Sequence, residues 1–240
     1  MGNDWKLESI RSLPQNAGTS GIVCLSFDDG PHPDTTPTLL QSLREAKMTA
    51  SFFVVGKRAE RYPDLVAAMI DEGHDVLNHG YSHTRLVKLS LDQIRLEFGR
   101  TEEILQRFRP TPTPYLVRMP YGVGGQSESV QSVLCSSFQR PIEVSWSVDT
   151  RDFAIEREWD GRTDMHDYCK EWANRVVSEV SELSGQIFLL HDSPFNSENK
   201  RIPKACMLHA LYLIKILRDR GMTSIGCQKQ FFPSNEHIYS

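Results

Sequence analysis

Short β-rich runs alternate with helical patterns along most of this chain, and no other feature limits its fold as strongly. The β-rich runs are residues 22–27, 51–55, 75–78, 115–117, 142–148, 187–190 and 223–227. Between them, apolar residues recur three and four apart at 38–46, 64–72, 164–183 and 204–218, with a weaker pattern near 128–133. The helix expected to open at Ser90 carries a capping-box start, Ser90-x-x-Gln93. Its apolar face runs through Leu91, Ile94, Phe98, Leu105 and Phe108, interrupted once by Thr101. Strand–helix alternation of this kind predicts about seven parallel strands joined by crossover helices, either as an open doubly wound sheet or as a (β/α) barrel. No Gly-rich linker or break in composition divides the chain. One α/β domain is expected over 21–230, flanked by a peripheral N-terminal segment, 1–20, and a C-terminal tail, 231–240.

With 240 residues the chain can bury a core without a disulfide framework. Lys and Arg number 27 against 31 Asp and Glu, and no basic run exceeds two residues, so the footprint that binds nucleic-acid phosphates is missing. The densest apolar stretch, 210–217, is interrupted by Lys215, which excludes a membrane-spanning helix and leaves no membrane partner to expect. Met1–Lys6 lacks the apolar core of a secretory signal, and Lys6 breaks the myristoylation pattern. An intracellular monomer is the expectation, or an extracellular one if a leader has been removed. Five cysteines without a C-x-x-C read as reduced, mostly buried thiols.

The polar clusters gather where these strands end. Asp28-Asp29-Gly30-Pro31 follows the first, His79 and His83 the third, and Arg118 the fourth; Asp149 and Asp152 follow the fifth, and His191-Asp192 the sixth. In parallel α/β folds the carboxyl ends of the strands share one face, and sites are built there. Singly, each piece has an ordinary explanation: a turn, an incidental surface pair of histidines, a satisfied core histidine. Five placements on one face together indicate a site. Other patterns fall away. Gly122-Val123-Gly124-Gly125 lacks the spacing of a dinucleotide loop, and no G-x-S-x-G occurs. Cys24, Cys169 and Cys206 fall on core-facing positions, and His32, His74, His166, His209 and His237 have no matching partners.

Ser26-Phe27-Asp28-Asp29-Gly30-Pro31, Asn78-His79-Gly80-Tyr81-Ser82-His83, Arg118-Met119-Pro120-Tyr121-Gly122, Val148-Asp149-Thr150-Arg151-Asp152-Phe153 and Leu189-Leu190-His191-Asp192 resemble, in order, the five motifs of the polysaccharide deacetylases. That family includes chitin, chitooligosaccharide and peptidoglycan N-acetylglucosamine deacetylases. Met119 stands where Pro is common, Gly80 where Thr is common, and Phe153 where Trp is frequent.

The resemblance implies a distorted barrel and one divalent metal ion on Asp29, His79 and His83. Zinc comes first among the ions such N/O ligands suit, with cobalt, manganese and iron behind it. It assigns Asp28 as general base, His191 as general acid, Arg118 as the partner of Asp28, Asp152 as the partner of His191, and the backbone N–H of Tyr121 as an oxyanion donor. Tyr121, Phe153 and Leu189 would line the substrate side. Trp159, within the charged stretch 156–167, or Phe195 is a further stacking candidate, with a solvated loop and one anchoring aromatic as the plainer reading. The expected partner is an N-acetylglucosamine oligomer or polymer, chitin or chitooligosaccharides first. The alternatives are hydrolysis of a small soluble amide, imide or O-acetyl ester, a carbohydrate-binding protein without catalysis, and a non-haem iron oxygenase, which would need neither Asp28 nor His191.

Overall fold

A computed structural model of the chain describes residues 7–14, 20–195 and 201–231. Its strands are β1 (Glu8–Ile10), β2 (Ile22–Asp28), β3 (Ser51–Val54), β4 (Asp75–Asn78), β5 (Tyr115–Val117), β6 (Pro141–Val144), β7 (Val148–Asp149), β8 (Ile187–His191) and β9 (Thr223–Ser224). Its helices are α1 (Thr36–Ala46), α2 (Gly56–Arg61), α3 (Pro63–Asp71), α4 (Leu91–Leu105), α5 (Glu128–Ser137), α6 (Ile155–Glu158), α7 (Met165–Glu179), α8 (Arg201–Asp219) and α9 (Cys227–Phe231). Every ladder between these strands is parallel, in the order β1-β6-β5-β4-β3-β2-β8-β7, with β9 paired to the start of β2. The sheet curls into a half-barrel wrapped by helices, a distorted (β/α) barrel in one domain.

Burial on both faces explains the central sequences. Residues of β3 and β4 are buried throughout, as are Val23–Asp28 of β2 and Ile187–Leu190 of β8. Such strands read as continuous apolar runs rather than alternating ones. Leu39, Leu40 and Leu43 of α1 and Ala210, Leu213 and Leu217 of α8 complete one core cluster with Phe27, Phe52 and Phe188. The Ser90 capping box forms: Gln93 N donates to Ser90 Oγ (3.3 Å), and Ser90 N donates to Gln93 Oε1 (2.9 Å).

The strand count rises from seven to nine for two reasons. Residues 142–148 divide into two strands on opposite sides of the half-barrel opening. Ser145 N donates to Ile10 O (2.7 Å), whereas Ser147 N donates to Ile187 O (3.1 Å), so residues 145–147 carry the chain from β6 to β7, which lies beside β8. Part of the N-terminal segment also takes the sheet edge. β1 pairs with β6, and Leu13 N donates to Gly185 O (2.8 Å), which joins the two ends of the sheet. At the last run the strand stops at Ser224, and Cys227, expected in it, opens α9.

Candidate active site

Each cluster occupies the carboxyl end of its strand. Asp28 is the last residue of β2, His79 follows β4, Arg118 follows β5, Asp149 ends β7 and His191 ends β8. Asp28, His79, Asp149 and His191, with Asp29, His83, Tyr121, Phe153 and Leu189, line a cavity of about 470 Å³, a size usual for small-ligand and substrate sites. Arg118 lies just beneath it, and Asp152 behind His191.

Arg118 is buried, and its donors are nearly all used. Nη1 bonds Asp28 Oδ1 (2.7 Å) and Ser26 Oγ (2.9 Å), Nε bonds Val144 O (2.8 Å), and Nη2 bonds Ser145 O (3.0 Å). Its guanidinium lies 4.0 Å from the centre of the Phe53 ring. A buried guanidinium is tolerable only with a charge partner and satisfied donors, and this one has both.

Asp29, His79 and His83 place one ligand atom each within 4.8 Å of one another, all three residues buried. Asp29 Oδ1 lies 3.0 Å from His83 Nε2 and 3.5 Å from His79 Nε2. His79 Nδ1 faces the Arg118 carbonyl oxygen (2.9 Å), which can only accept, so Nδ1 carries the proton and Nε2 presents its lone pair toward the carboxylates. Burial pushes the His79 pKa down against the pull of Asp28 and Asp29, which favours that neutral form. Burial also pushes Asp29 upward, but the hydrogen bond and charge of His83, with His191 and His79, outweigh it and hold the carboxyl below its usual range. The lone pair of His79 Nε2 and the oxygens of Asp28 and Asp29, 3.6 and 3.5 Å away, repel in a buried place unless a cation lies between them. The donor set, two imidazoles and a carboxylate, therefore fits a divalent metal.

Across the cavity, Asp152 holds His191 at two points. His191 Nδ1 lies 2.7 Å from Asp152 Oδ1, and the His191 amide donates to Oδ2 (2.7 Å). Asp152 is fully buried. Burial alone would lower the His191 pKa, but the adjacent Asp152 carboxylate overrides it and raises the imidazole to about 10. Tyr121 has φ 61, an uncommon left-handed backbone that turns its peptide plane at the cavity rim.

Some sequence candidates lie elsewhere. Trp159 is outside the cavity lining, and its Nε1 donates to Thr163 O (2.9 Å) within its own loop. Asp149 does line the cavity but caps a turn, its Oδ1 accepting from Arg151 N (2.9 Å). Asp192 points away from the chemistry: it is buried, accepts from Thr35 Oγ1 (2.6 Å) and Thr36 Oγ1, and burial lifts its pKa to about 6.

Other residues carried no sequence signal for the contacts they make; Phe195 was a candidate for stacking only. Arg58 stands in a charged helix yet donates to the carbonyls of Asp29 (2.9 Å) and Ser193. Phe195 N donates to Asp29 Oδ2 (2.8 Å), which leaves Oδ1 toward the histidines. Trp146 fills the space that a β-carbon on Gly122 would need, and Arg85 lies over the Tyr121 ring, 4.4 Å from its centre.

A family model described as polysaccharide deacetylase matches residues 15–134. A peptidoglycan-N-acetylglucosamine deacetylase of Bacillus cereus is 34% identical over 175 residues, 72% of this chain; the chain spans only 56% of that relative's length. A chitooligosaccharide deacetylase of Bradyrhizobium sp. is 32% identical over 219 residues, covering 88% of this chain and 90% of the relative. Among solved structures, the Bc1960 peptidoglycan N-acetylglucosamine deacetylase in complex with 4-naphthalen-1-yl-N-oxidanyl-benzamide superposes with a TM-score of 0.73 at 27% identity, covering 92% of both chains.

Proposed function

The chain belongs to the polysaccharide deacetylase family, and from that premise we propose that it is a metal-dependent hydrolase that removes N-acetyl groups from N-acetylglucosamine-containing glycans, chitooligosaccharides first. One observation carries the proposal: a dication-shaped set of Asp29, His79 and His83 lies beside a second carboxylate, Asp28, clamped by Arg118, with a charged His191 facing both. A divalent ion on that set would polarise the acetamide carbonyl and supply a nucleophilic water at neutral pH.

The protein's own groups divide the proton work. Asp28, oriented by Arg118, accepts the proton of the attacking water. His191 begins protonated because Asp152 stabilises the imidazolium, and it delivers that proton to the departing amine nitrogen. An amide nitrogen leaves poorly without one. Tyr121 offers its backbone N–H to the carbonyl oxygen as negative charge develops there. Leu189, almost fully buried in the cavity wall, packs against the acetyl methyl.

Two features favour a glycan over a small amide. Tyr121 and Phe153 leave 42% and 41% of their surface exposed at the cavity rim, apolar faces that a small amide has no use for. The chain also matches the chitooligosaccharide deacetylase over almost that relative's whole length. Acetate release should be measured on chitooligosaccharides, acetylxylan, peptidoglycan fragments and small amides, with the metal-loaded protein. Release from the chitooligosaccharides at the highest kcat/KM is expected. Turnover of small amides alone would reject the glycan assignment, and turnover unaffected by metal removal would reject the metal.

A further inference from the structure

The two histidines of the ligand set are held in different ways. His79 is fixed through Nδ1 by the Arg118 carbonyl. His83 Nδ1 is buried and has no hydrogen-bond partner among the described residues. A ligating histidine is ordinarily oriented by what its other ring nitrogen bonds, so His83 must be placed through its backbone and its ring contacts. The rings of Tyr121 and Phe195 lie 4.4 and 5.6 Å from it, centre to centre. Its backbone has φ 54, a left-handed conformation that a non-glycine residue keeps only when its surroundings impose it.

Glu97, on α4, supplies that constraint. Its Oε2 accepts from the amides of Tyr81 (2.9 Å) and Ser82 (2.8 Å), and its Oε1 accepts from Ser82 Oγ (2.6 Å). Ser82 Oγ also lies 2.7 Å from Thr84 Oγ1, so the bonds bracket His83 on both sides. Among the described residues Glu97 is in no salt bridge, so its carboxylate serves these three donors. Gly80 makes room for it: a β-carbon there would lie 3.3 Å from Glu97 Oε2, and φ 77 suits glycine.

We propose that Glu97 is a positioning residue for the metal site, clamping the segment 81–84 so that His83 Nε2 meets Asp29 and His79. The proposal rests on the metal-dependent reading above. It requires an acceptor at residue 97, not mere bulk. Glu97→Gln can keep its oxygen on the two amides and turn its NH2 to the Ser82 hydroxyl, whereas Glu97→Leu fills the same space and accepts nothing.

Zinc affinity of the full chain, stripped of metal and titrated against a chromophoric chelator, tests this without reference to activity. Glu97→Leu and Glu97→Ala should weaken zinc binding by about 10–100-fold, with Glu97→Gln restoring it to within a few-fold of wild type. The cobalt(II) absorption bands should change in the Leu variant and return in the Gln variant. A folded Glu97→Leu protein that binds zinc as tightly as wild type, with the same cobalt spectrum, overturns the proposal. Should circular dichroism show both Leu and Ala variants unfolded, Ser82→Ala must weaken zinc binding several-fold, and unchanged affinity overturns it equally. A wild type that binds no zinc refutes the functional reading and this proposal with it; wild-type binding matched by the Leu variant refutes this proposal alone.

Discussion

Replacing Asp152 by Asn tests whether His191 acts as the acid. The His191 imidazole stands at about 10 against an ordinary 6.5, a net preference for the charged form of about 5 kcal/mol. Coulomb's law for the 2.7 Å contact gives about 6 kcal/mol at an effective dielectric of about 20. Burial opposes the shift, Asp152 is the largest of the groups that raise it, through its charge and its hydrogen bond, and Asp29 and Asp28 add to it. With Asn the charge is gone and the burial penalty remains, so the pKa should fall by about three units or more. The acid works protonated, and activity is lost as pH rises through its pKa. The alkaline limb of kcat/KM should therefore move down by that amount while the acid limb stays nearly fixed. A dication at Asp29 lowers His191 in both proteins, so the difference between them is the quantity to read. Stability carries the same sign: a raised folded pKa stabilises fully below pH 6.5 and loses that contribution as pH climbs through about 10. The variant should lose the pH-dependent part and about 1–3 kcal/mol more, because its NH2 meets a backbone N–H that Asp152 now satisfies. The assay is acetate release from a chitooligosaccharide between pH 5 and 11, at full metal occupancy. An unmoved alkaline limb, whatever the loss of stability, refutes the pairing of Asp152 with His191.

Three further outcomes follow from the geometry. Asp29→Ala should abolish stoichiometric metal by elemental analysis with the fold intact by circular dichroism; full metal content would discard the ligand set. Asp28→Asn should keep the metal but slow turnover by about 10²–10⁴-fold, and near-normal turnover in metal-loaded protein would remove Asp28 from the base role. Arg118→Met strands the buried Asp28 carboxylate without its ion pair and should cost about 3–5 kcal/mol in urea unfolding; a loss below about 1 kcal/mol, the range of an exposed ion pair, would show that the pair is solvated.

Local rules made much of the molecule legible in advance. The alternation of apolar runs with three-and-four spacing determined a parallel α/β fold, because strands buried on both faces and one-sided helices leave different periods in a sequence. The Ser90–Gln93 box marked the start of α4 for an equally local reason. The positions of Asp28, Asp29, His79, His83, Arg118 and His191 at strand ends determined that they would meet, since parallel strands deliver their carboxyl ends to one face. Tertiary structure decided what depends on residues far apart in the chain. The division of residues 142–148 between two strands was settled by Ile10 on one side and Ile187 on the other. Trp159 was turned into its own loop, while Trp146 was brought to the cavity behind Gly122. Arg58 and Glu97 look in the sequence like ordinary charges on solvated helices; their targets, the carbonyl of Asp29 and the amides of Tyr81 and Ser82, become reachable only after α2 and α4 pack against the strand ends. A side chain's type is local, but a hydrogen bond between distant segments exists only in the folded geometry, and that is why the strand-end cluster was readable and the contacts of Arg58 and Glu97 were not.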